Sequence, residues 1–178
     1  MNFKNNFINS YIKEHNLNII GFDDNKPWGG YYIYESNDKQ DKKILWIKPG
    51  NFLSLQFHGS KEHPGHSEEF TALTEMAVVM GNSDVAMNPE QLDEELKNLN
   101  IIKLKAQETM FTQSGVLHAY INPFDHDVFL LETRTSTIAE NEKQREANIT
   151  RIYDQTLRTG TVQWAIDLVE RIKALAAK

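Results

Sequence analysis

The residues best suited to chemistry are histidines with polar neighbours in strand-like segments. In residues 53–58, Leu-Ser-Leu-Gln-Phe-His, alternation places Gln56 and His58 on one face and apolar side chains on the other. His118 lies in a second strand-like segment, and Glu75 opens an apolar one. Imidazole and carboxylate groups suit Zn, Mn, Fe, Co or Ni. These four residues would form an open catalytic metal site, or, judged on spacing alone, hydrogen-bonded surface positions.

Length, charge and cysteine content restrict the classes of protein that fit this chain. Its 178 residues match one domain, and the absence of cysteine excludes disulfides, cysteine–zinc sites, iron–sulfur clusters and thiol nucleophiles. The net charge of −6 argues against a partner such as duplex DNA or an anionic membrane. No segment is long and apolar enough to span a bilayer, and no signal-peptide pattern is present. We therefore expect a cytoplasmic protein with no nucleic-acid or membrane partner.

Short strand-like runs dominate the middle of the chain. About eight runs rich in β-branched and aromatic residues are separated by turn pairs such as Pro49-Gly50 and Ser114-Gly115. This pattern predicts an all-β fold, an antiparallel jelly-roll barrel over residues 26–160. Residues 21–30, with three glycines, are predicted to form a loop.

Apolar residues recur at helical spacing at both ends of this single domain. This spacing predicts amphipathic helices over residues 2–15 and 161–178, which would suit a homodimer interface or the capping of one monomer equally well. Residues 88–99 are predicted to form a further helix that Asn88 caps. The charged stretch 139–147 is predicted to be a solvated helix or a loop.

Several motifs resemble those of a known superfamily. Gly50 followed by Gln56-x-His58 resembles the first cupin motif, with Gln in place of its first His, and Gly115-x-x-His118-x-x-x-Asn122 is similar to the second. More closely, five segments resemble, in order, those of the metal-dependent (class I) mannose-6-phosphate isomerases. They are Lys26-Pro27-Trp28-Gly29-Gly30, Leu53-Ser54-Leu55-Gln56-Phe57-His58-Gly59-Ser60-Lys61, Glu75-Met76-Ala77, Gly115-Val116-Leu117-His118-Ala119-Tyr120 and Asn148-Ile149-Thr150-Arg151-Ile152-Tyr153-Asp154.

This resemblance implies a cupin-type barrel that isomerises a phosphorylated hexose between aldose and ketose by enediol proton transfer. It implies one divalent metal, zinc by preference, and it gives Lys61 and Arg151 active-site roles. The metal ligands that it implies are Gln56, His58, Glu75 and His118. The general base stays open between a loop His or Glu and metal-bound water.

Departures from the family pattern leave other functions open. Gly59-Ser60 stands where the family has Pro-Asp, and 178 residues leave no room for the second cupin and helical domain that wall the pocket in longer members. A non-catalytic sugar-binding cupin is one alternative. An Fe(II) oxygenase with His58, Glu75 and His118 as a two-His-one-carboxylate set is another. Arg151 would bind the anionic part of a substrate or pair with Asp154 or a Glu of residues 140–146.

Overall fold

Strands are the main secondary structure of the described residues, as the strand-like runs in the sequence predict. The computed structural model describes residues 3–59, 65–86, 88, 91–153, 170–171 and 173–174. The strands of this part are β1 (Gly21–Lys26), β2 (Gly29–Ser36), β3 (Gln40–Ile47), β4 (Leu55–His58), β5 (His66–Ala72), β6 (Met76–Met80), β7 (Asn100–Leu104), β8 (Thr109–Thr112), β9 (His118–Ile121), β10 (Val128–Ser136) and β11 (Ile149–Tyr153). Its helices are α1 (Asn6–Glu14), α2 (Ser83–Ala86), α3 (Leu92–Glu95) and α4 (Glu142–Ala147).

The strands form two antiparallel sheets with jelly-roll connectivity. One sheet has the order β1-β2-β3-β10-β5-β8 and the other has the order β11-β4-β9-β6-β7. The chain from β3 to β10 changes sheets repeatedly, so that two interleaved Greek keys result, which is the jelly-roll arrangement. This confirms the predicted all-β jelly roll. No strand pairing joins the two sheets within the described residues, so the barrel is not closed.

The space between the sheets changes from apolar to charged along the strands. At one level, Leu45, Leu130 and Ala72 are lateral partners on β3, β10 and β5, and they belong to the core between the sheets. Four residues further along β10, Arg134 lies between Asp41 and Glu68 in the same three strands. Because both sets point inward, one end of the interior is a packed core and the other is a polar cavity.

Helix α1 covers the outer face of the six-stranded sheet. The side chain of Asn5 accepts hydrogen bonds from the backbone N–H groups of Phe7 and Ile8, which fixes the start of the helix at Asn6. Ile8 is fully buried against the sheet in a cluster that also contains Phe3, Tyr32, Ile44, Trp46 and Phe129. The predicted N-terminal helix is therefore present but shorter than residues 2–15, since it begins at Asn6 and ends at Glu14.

Three local predictions differ from the structure. Residues 21–26 are not a loop but strand β1, which pairs with β2 and so gains partners that the sequence pattern does not reveal. The predicted helix over 88–99 is reduced to the single turn of α3 in the described residues. Residues 142–147 form α4, which is anchored by the buried Arg145 rather than fully solvated. Most of the predicted helix 161–178 lies outside the described residues.

Candidate metal centre

Three strands from both sheets bring the candidate site together. His66 and Glu68 alternate along β5 and face inward from the six-stranded sheet, while His58 on β4 and His118 on β9 face them from the five-stranded sheet. Gln56 is the cross-strand partner of His118. The intervening residues of β4 and β9, such as Phe57 and Ala119, pack in a separate cluster on the opposite face of their sheet. Alternation thus places every polar member on the interior side.

Glu68 is the centre of this cluster. Its Oε1 lies 3.2 Å from Nε2 of His58 and 3.5 Å from Nε2 of His66, and its Oε2 lies 3.0 Å from Nε2 of His118. The hydroxyl of Tyr120 donates to the same Oε2 at 2.8 Å. All four partners and Glu68 are buried. One carboxylate therefore lies within 3.5 Å of three imidazole nitrogens.

The hydrogen bonds settle part of the protonation pattern. Nδ1 of His118 lies 2.8 Å from the carbonyl oxygen of Val116, which only accepts, so Nδ1 carries the proton and donates it. Burial alone would lower the pKa of His118, but its hydrogen bond to Glu68 and the charge of Glu68 raise it. Nε2 of His118 therefore faces a carboxylate oxygen with its lone pair. Either a second ring proton or a bound cation is needed between these two atoms.

Burial and charge act in opposite directions on the other members. Burial lowers the pKa of His58 to about 3, although the charge of Glu68 opposes this, so the ring is neutral at pH 7. Burial alone would raise the pKa of Glu68, but its interactions with His58 and His118 hold it well below its usual range. Burial and then the charge of Glu68 raise the pKa of Tyr120 well above its usual value, so its hydroxyl stays protonated and donates.

The donor set fits a divalent metal ion. Ligand atoms about 2.1 Å from a metal at angles between 90° and 109° lie about 3.0–3.4 Å apart, which matches the separations around Glu68. The available donor atoms of His58, His66 and Glu68 all lie within 4.8 Å of one another. Both ring nitrogens of buried His66, and Nδ1 of His58, hydrogen-bond to none of the described residues. A metal ion takes the lone pair of one nitrogen in a ring, which would account for one of the two His66 nitrogens.

Gln56 lies at the edge of the cluster with its amide held by a neighbour. The hydroxyl of Ser54 donates to Oε1 of Gln56 at 2.5 Å, and the amide nitrogen lies 3.3 Å from Nε2 of His58. If Gln56 bound a metal through its carbonyl oxygen, its amide group would be rotated so that Oε1 lies beside His58 and the NH₂ group beside Ser54. The Ser54 hydroxyl supports this orientation equally, because it also accepts hydrogen bonds. Gln56 is thus beside the candidate centre, as expected, and its role as a ligand stays a proposal.

The structure does not bring Glu75 to this cluster. Glu75 is exposed and immediately precedes β6, whose far end, at Met80, pairs with His118. Five residues of extended strand separate Glu75 from that level by about 16 Å. The carboxylate beside the histidines is Glu68, and we replace Glu75 with it as the candidate ligand.

Sequence reasoning missed Glu68, His66 and Tyr120. In the sequence, residues 62–69 are rich in potential ligands, but Pro64-Gly65 in their middle is typical of a turn between strands. The signal that was present is the alternation that begins at His66 and continues through Glu68, Phe70 and Ala72, all of them buried. A strand pattern that starts with two polar residues and ends with two apolar ones indicates an interior that changes from polar to apolar.

Two glycines bring the chain back on itself between His58 and His66. Gly59 and Gly65 both have positive φ, at 98° and 67°, the left-handed region that glycine adopts without strain. A Cβ atom at Gly65 would lie 2.5 Å from the backbone nitrogen of Gly59. The two glycines are therefore in direct contact, and they hold the ends of β4 and β5 together.

A cavity of about 940 Å³ includes the cluster and extends beyond it. Arg151 on β11 lines it opposite Gln56, its cross-strand partner. The Arg151 side chain is 8% exposed and lies 2.9 Å and 3.1 Å from the two carboxylate oxygens of Glu146, while its Nε hydrogen-bonds to none of the described residues. Arg151 therefore both faces the cavity and forms an ion pair. Lys61 lies outside the described residues.

Fold and site together define a two-sheet jelly roll with a candidate metal centre. No protein-family profile matches the chain. Among solved structures, the capsular polysaccharide assembling protein CapF from Staphylococcus aureus has a TM-score of 0.52 at 13% identity, covering 75% of this chain and 33% of that one. CapF in complex with 3-isopropenyl-tropolone has a TM-score of 0.53 at 12% identity, with the same coverage. At these identities the similarity concerns the fold alone.

Curated relatives are similar over part of the chain. Mannose-1-phosphate guanylyltransferase ManC of Salmonella typhimurium is 26% identical over 119 residues, 66% of this chain and 20% of that protein. Mannose-1-phosphate guanylyltransferase of Escherichia coli has the same identity and coverage. The chain spans about a fifth of the length of these relatives. None of the helices in the described part of the protein is long and apolar enough to cross a membrane.

Proposed function

We propose that the protein is a metal-dependent enzyme that isomerises a sugar phosphate between its aldose and ketose forms. The observation that carries this proposal is the buried cluster of three histidines around Glu68, which opens into a cavity of about 940 Å³ that an arginine also lines. The resemblance to mannose-6-phosphate isomerases and the phosphorylated sugar in the names of the curated relatives support the substrate class.

The residues present assign the parts of such a site. His58, Glu68 and His118 would hold the ion, with His66 as a further nitrogen donor and Gln56 as a carbonyl donor. A divalent cation there supplies Lewis-acid polarisation of a carbonyl oxygen. Nitrogen and oxygen donors without sulfur suit zinc, and equally manganese, cobalt or iron. The buried position of Glu68 and its hydrogen bond from Tyr120 orient the carboxylate before any ion binds.

Arg151 would bind the anionic part of the substrate. Arg151 lines the cavity wall, and Gln56 is its cross-strand partner. A planar guanidinium group matches the oxygens of a phosphate with two parallel hydrogen bonds. The overall charge of −6 makes such a local cation more important for the entry of an anion. Lys61, three residues after His58 in the chain, is proposed to bind the same anionic group.

The test is metal-dependent turnover. The metal-free protein is loaded separately with Zn²⁺, Mn²⁺, Co²⁺ and Fe²⁺, and conversion of mannose 6-phosphate to fructose 6-phosphate is followed by NMR, with mannose 1-phosphate as the substrate control. We expect turnover with at least one metal and none in His58→Ala or His118→Ala, which should keep the fold and lose the metal. Full metal occupancy without conversion of any sugar phosphate would contradict the proposal. Oxygen consumption by the iron form would instead indicate an oxygenase.

A further inference from the structure

A pair of opposite charges, Lys43 and Glu132, lies between the two sheets, one register level from Glu68 along the strands. Nζ of Lys43 on β3 donates to Oε1 of Glu132 on β10 at 3.1 Å, and the two residues are direct cross-strand partners. Their side chains are 18% and 9% exposed. Both line the same cavity as His58, Glu68 and His118.

Stability alone gives no reason for this pair. Further along the same two strands, the inward-facing partners Leu45 and Leu130 are apolar and buried. An apolar pair in place of Lys43 and Glu132 would extend this core by one level. Replacing a buried ion pair with apolar side chains of similar volume is often neutral or stabilising, because both charges lose their hydration on burial. Charged residues in a cavity wall, where a stable alternative exists, indicate a function.

Glu132 faces the metal cluster. It lies two residues before Arg134, the register partner of Glu68, and inward-facing like it. Phe70, the partner of Glu132 on β5, lies two residues after Glu68, so the carboxylate is one register level from the cluster. A substrate bound at the cluster would contact Glu68 and the histidines on one side and face the Glu132 carboxylate on another. Glu132 is not one of the candidate ligands, so its oxygens remain available to a substrate.

We propose that Glu132 is the general base that moves the substrate proton and that Lys43 positions it. This inference rests on the proposed isomerase function. The Glu132 carboxylate takes the proton from the carbon next to the carbonyl, and the electron pair of the broken C–H bond stays on the substrate as an enediolate. The same carboxyl group then returns the proton to the former carbonyl carbon, while the hydroxyl proton of the adjacent carbon passes to the former carbonyl oxygen, so that nothing is oxidised or reduced overall. Lys43 acts through Glu132, since its 3.1 Å hydrogen bond fixes the direction of the carboxylate.

The first experiment measures proton transfer directly. Wild type and Glu132→Gln, each saturated with the metal that supports turnover, are incubated with mannose 6-phosphate in D₂O, and deuterium incorporation is followed by NMR. We expect Glu132→Gln to lose about 10²- to 10⁴-fold in both turnover and deuterium incorporation. Its metal content should equal that of the wild type. Lys43→Met should lower kcat with little change in KM, and Lys43→Arg should recover part of the loss.

Two double variants separate catalysis from folding. Lys43→Met with Glu132→Leu should retain the melting temperature and the metal content but have no isomerase activity. The matched control is Lys42→Met with Glu35→Leu, because Lys42 and Glu35 form a comparable ion pair of 2.8 Å that is more exposed and does not line the cavity. The control should keep full activity.

The outcomes distinguish this inference from the proposed function. If the wild type converts the sugar phosphate and Glu132→Gln converts it within twofold of the same rate, Glu132 is not the base and the isomerase proposal stands. If the wild type neither converts nor exchanges any sugar phosphate, both proposals are wrong. If the apolar double variant unfolds while Glu132→Gln folds and remains active, the pair is structural.

Discussion

The hydroxyl of Tyr120 donates a hydrogen bond of 2.8 Å to Oε2 of Glu68. That oxygen also lies 3.0 Å from Nε2 of His118. Tyr120, which is not a candidate ligand, therefore orients the oxygen of Glu68 that faces His118. Partners of this kind set the direction and basicity of metal-binding carboxylates, and their loss typically costs 10- to 100-fold in metal affinity. The arrangement leads to a prediction that needs no knowledge of the substrate.

Tyr120→Phe should weaken metal binding by at least about tenfold without unfolding the protein. The reason is that Glu68 loses its only neutral hydroxyl donor among the described residues while its buried contacts with the histidines remain. Titration calorimetry with Zn²⁺ measures the effect. Tyr34→Phe, on the outer face of the six-stranded sheet, is the matched control and should bind like the wild type. Equal affinities for the two variants would remove Tyr120 from the site.

Replacing a carboxyl group with an amide should show which of the two candidate carboxylates, Glu68 or Glu75, binds the metal. Glu68→Gln should abolish stoichiometric metal binding, because a neutral amide cannot balance the ion among three buried imidazoles. Glu75→Gln should leave metal content unchanged, since Glu75 is exposed and lies at the opposite end of β6 from His118. Metal content by atomic absorption decides between them. Loss of the metal in Glu75→Gln alone would restore the ligand set that the sequence predicts.

Arg151→Lys should keep the fold and the metal but lose at least tenfold in kcat/KM, roughly 1.4 kcal/mol of transition-state stabilisation. A lysine keeps the charge but lacks the planar set of donors with which Arg151 reaches both carboxylate oxygens of Glu146. Steady-state kinetics with the sugar phosphate provide the measurement. A variant that turns over normally but melts at a lower temperature would make Arg151 a purely structural partner of Glu146.

The acid stability of the protein should depend on Asp41. Burial alone would raise the pKa of Asp41, but the Ser36 hydroxyl and the charges of Arg134, Lys43 and Arg145 lower it below its usual value. A carboxyl group whose pKa is lower in the folded state stabilises that state fully above the unfolded pKa, near 3.9. The contribution disappears as the pH falls through the folded pKa.

Asp41→Asn should therefore lower the free energy of unfolding by about 3 kcal/mol at pH 7, because it leaves buried Arg145 without its charged partner. The difference from the wild type should shrink below about pH 4. Urea unfolding across this pH range gives the comparison, with exposed Asp38→Asn as control. A difference that stays constant with pH would mean that the charge of Asp41 contributes nothing.

The sequence predicts what is local to one strand. The alternation of Gln56 and His58 with two apolar residues correctly places the polar pair on one face, which is the interior face in the structure, and the turn pairs correctly mark a chain that is mostly β. Each of these depends on neighbours in sequence, which alternation and turn chemistry describe directly.

What the sequence could not predict depends on sheet packing. Glu68 meets His58 and His118 only because two different sheets face each other, and no periodicity within a single strand encodes that relation. Glu75 matched a family motif, but its strand begins at the wrong level for its side chain to reach the cluster. Strand β1 likewise exists because β2 offers a partner, which overrides its Asp- and Asn-rich composition.

The contact between Gly59 and Gly65 has a consequence for how this protein can change over time. Because Gly59 and Gly65 are in contact, the number of residues that connect them can vary while His58 and His66 keep their positions. Doubling the length of such a connection costs only about 0.6 kcal/mol in closure entropy. Insertions between the two glycines that keep Lys61 can therefore diversify the chain next to His58 and His66 at little risk to the centre itself. In a laboratory library it is the place to seek a new substrate preference.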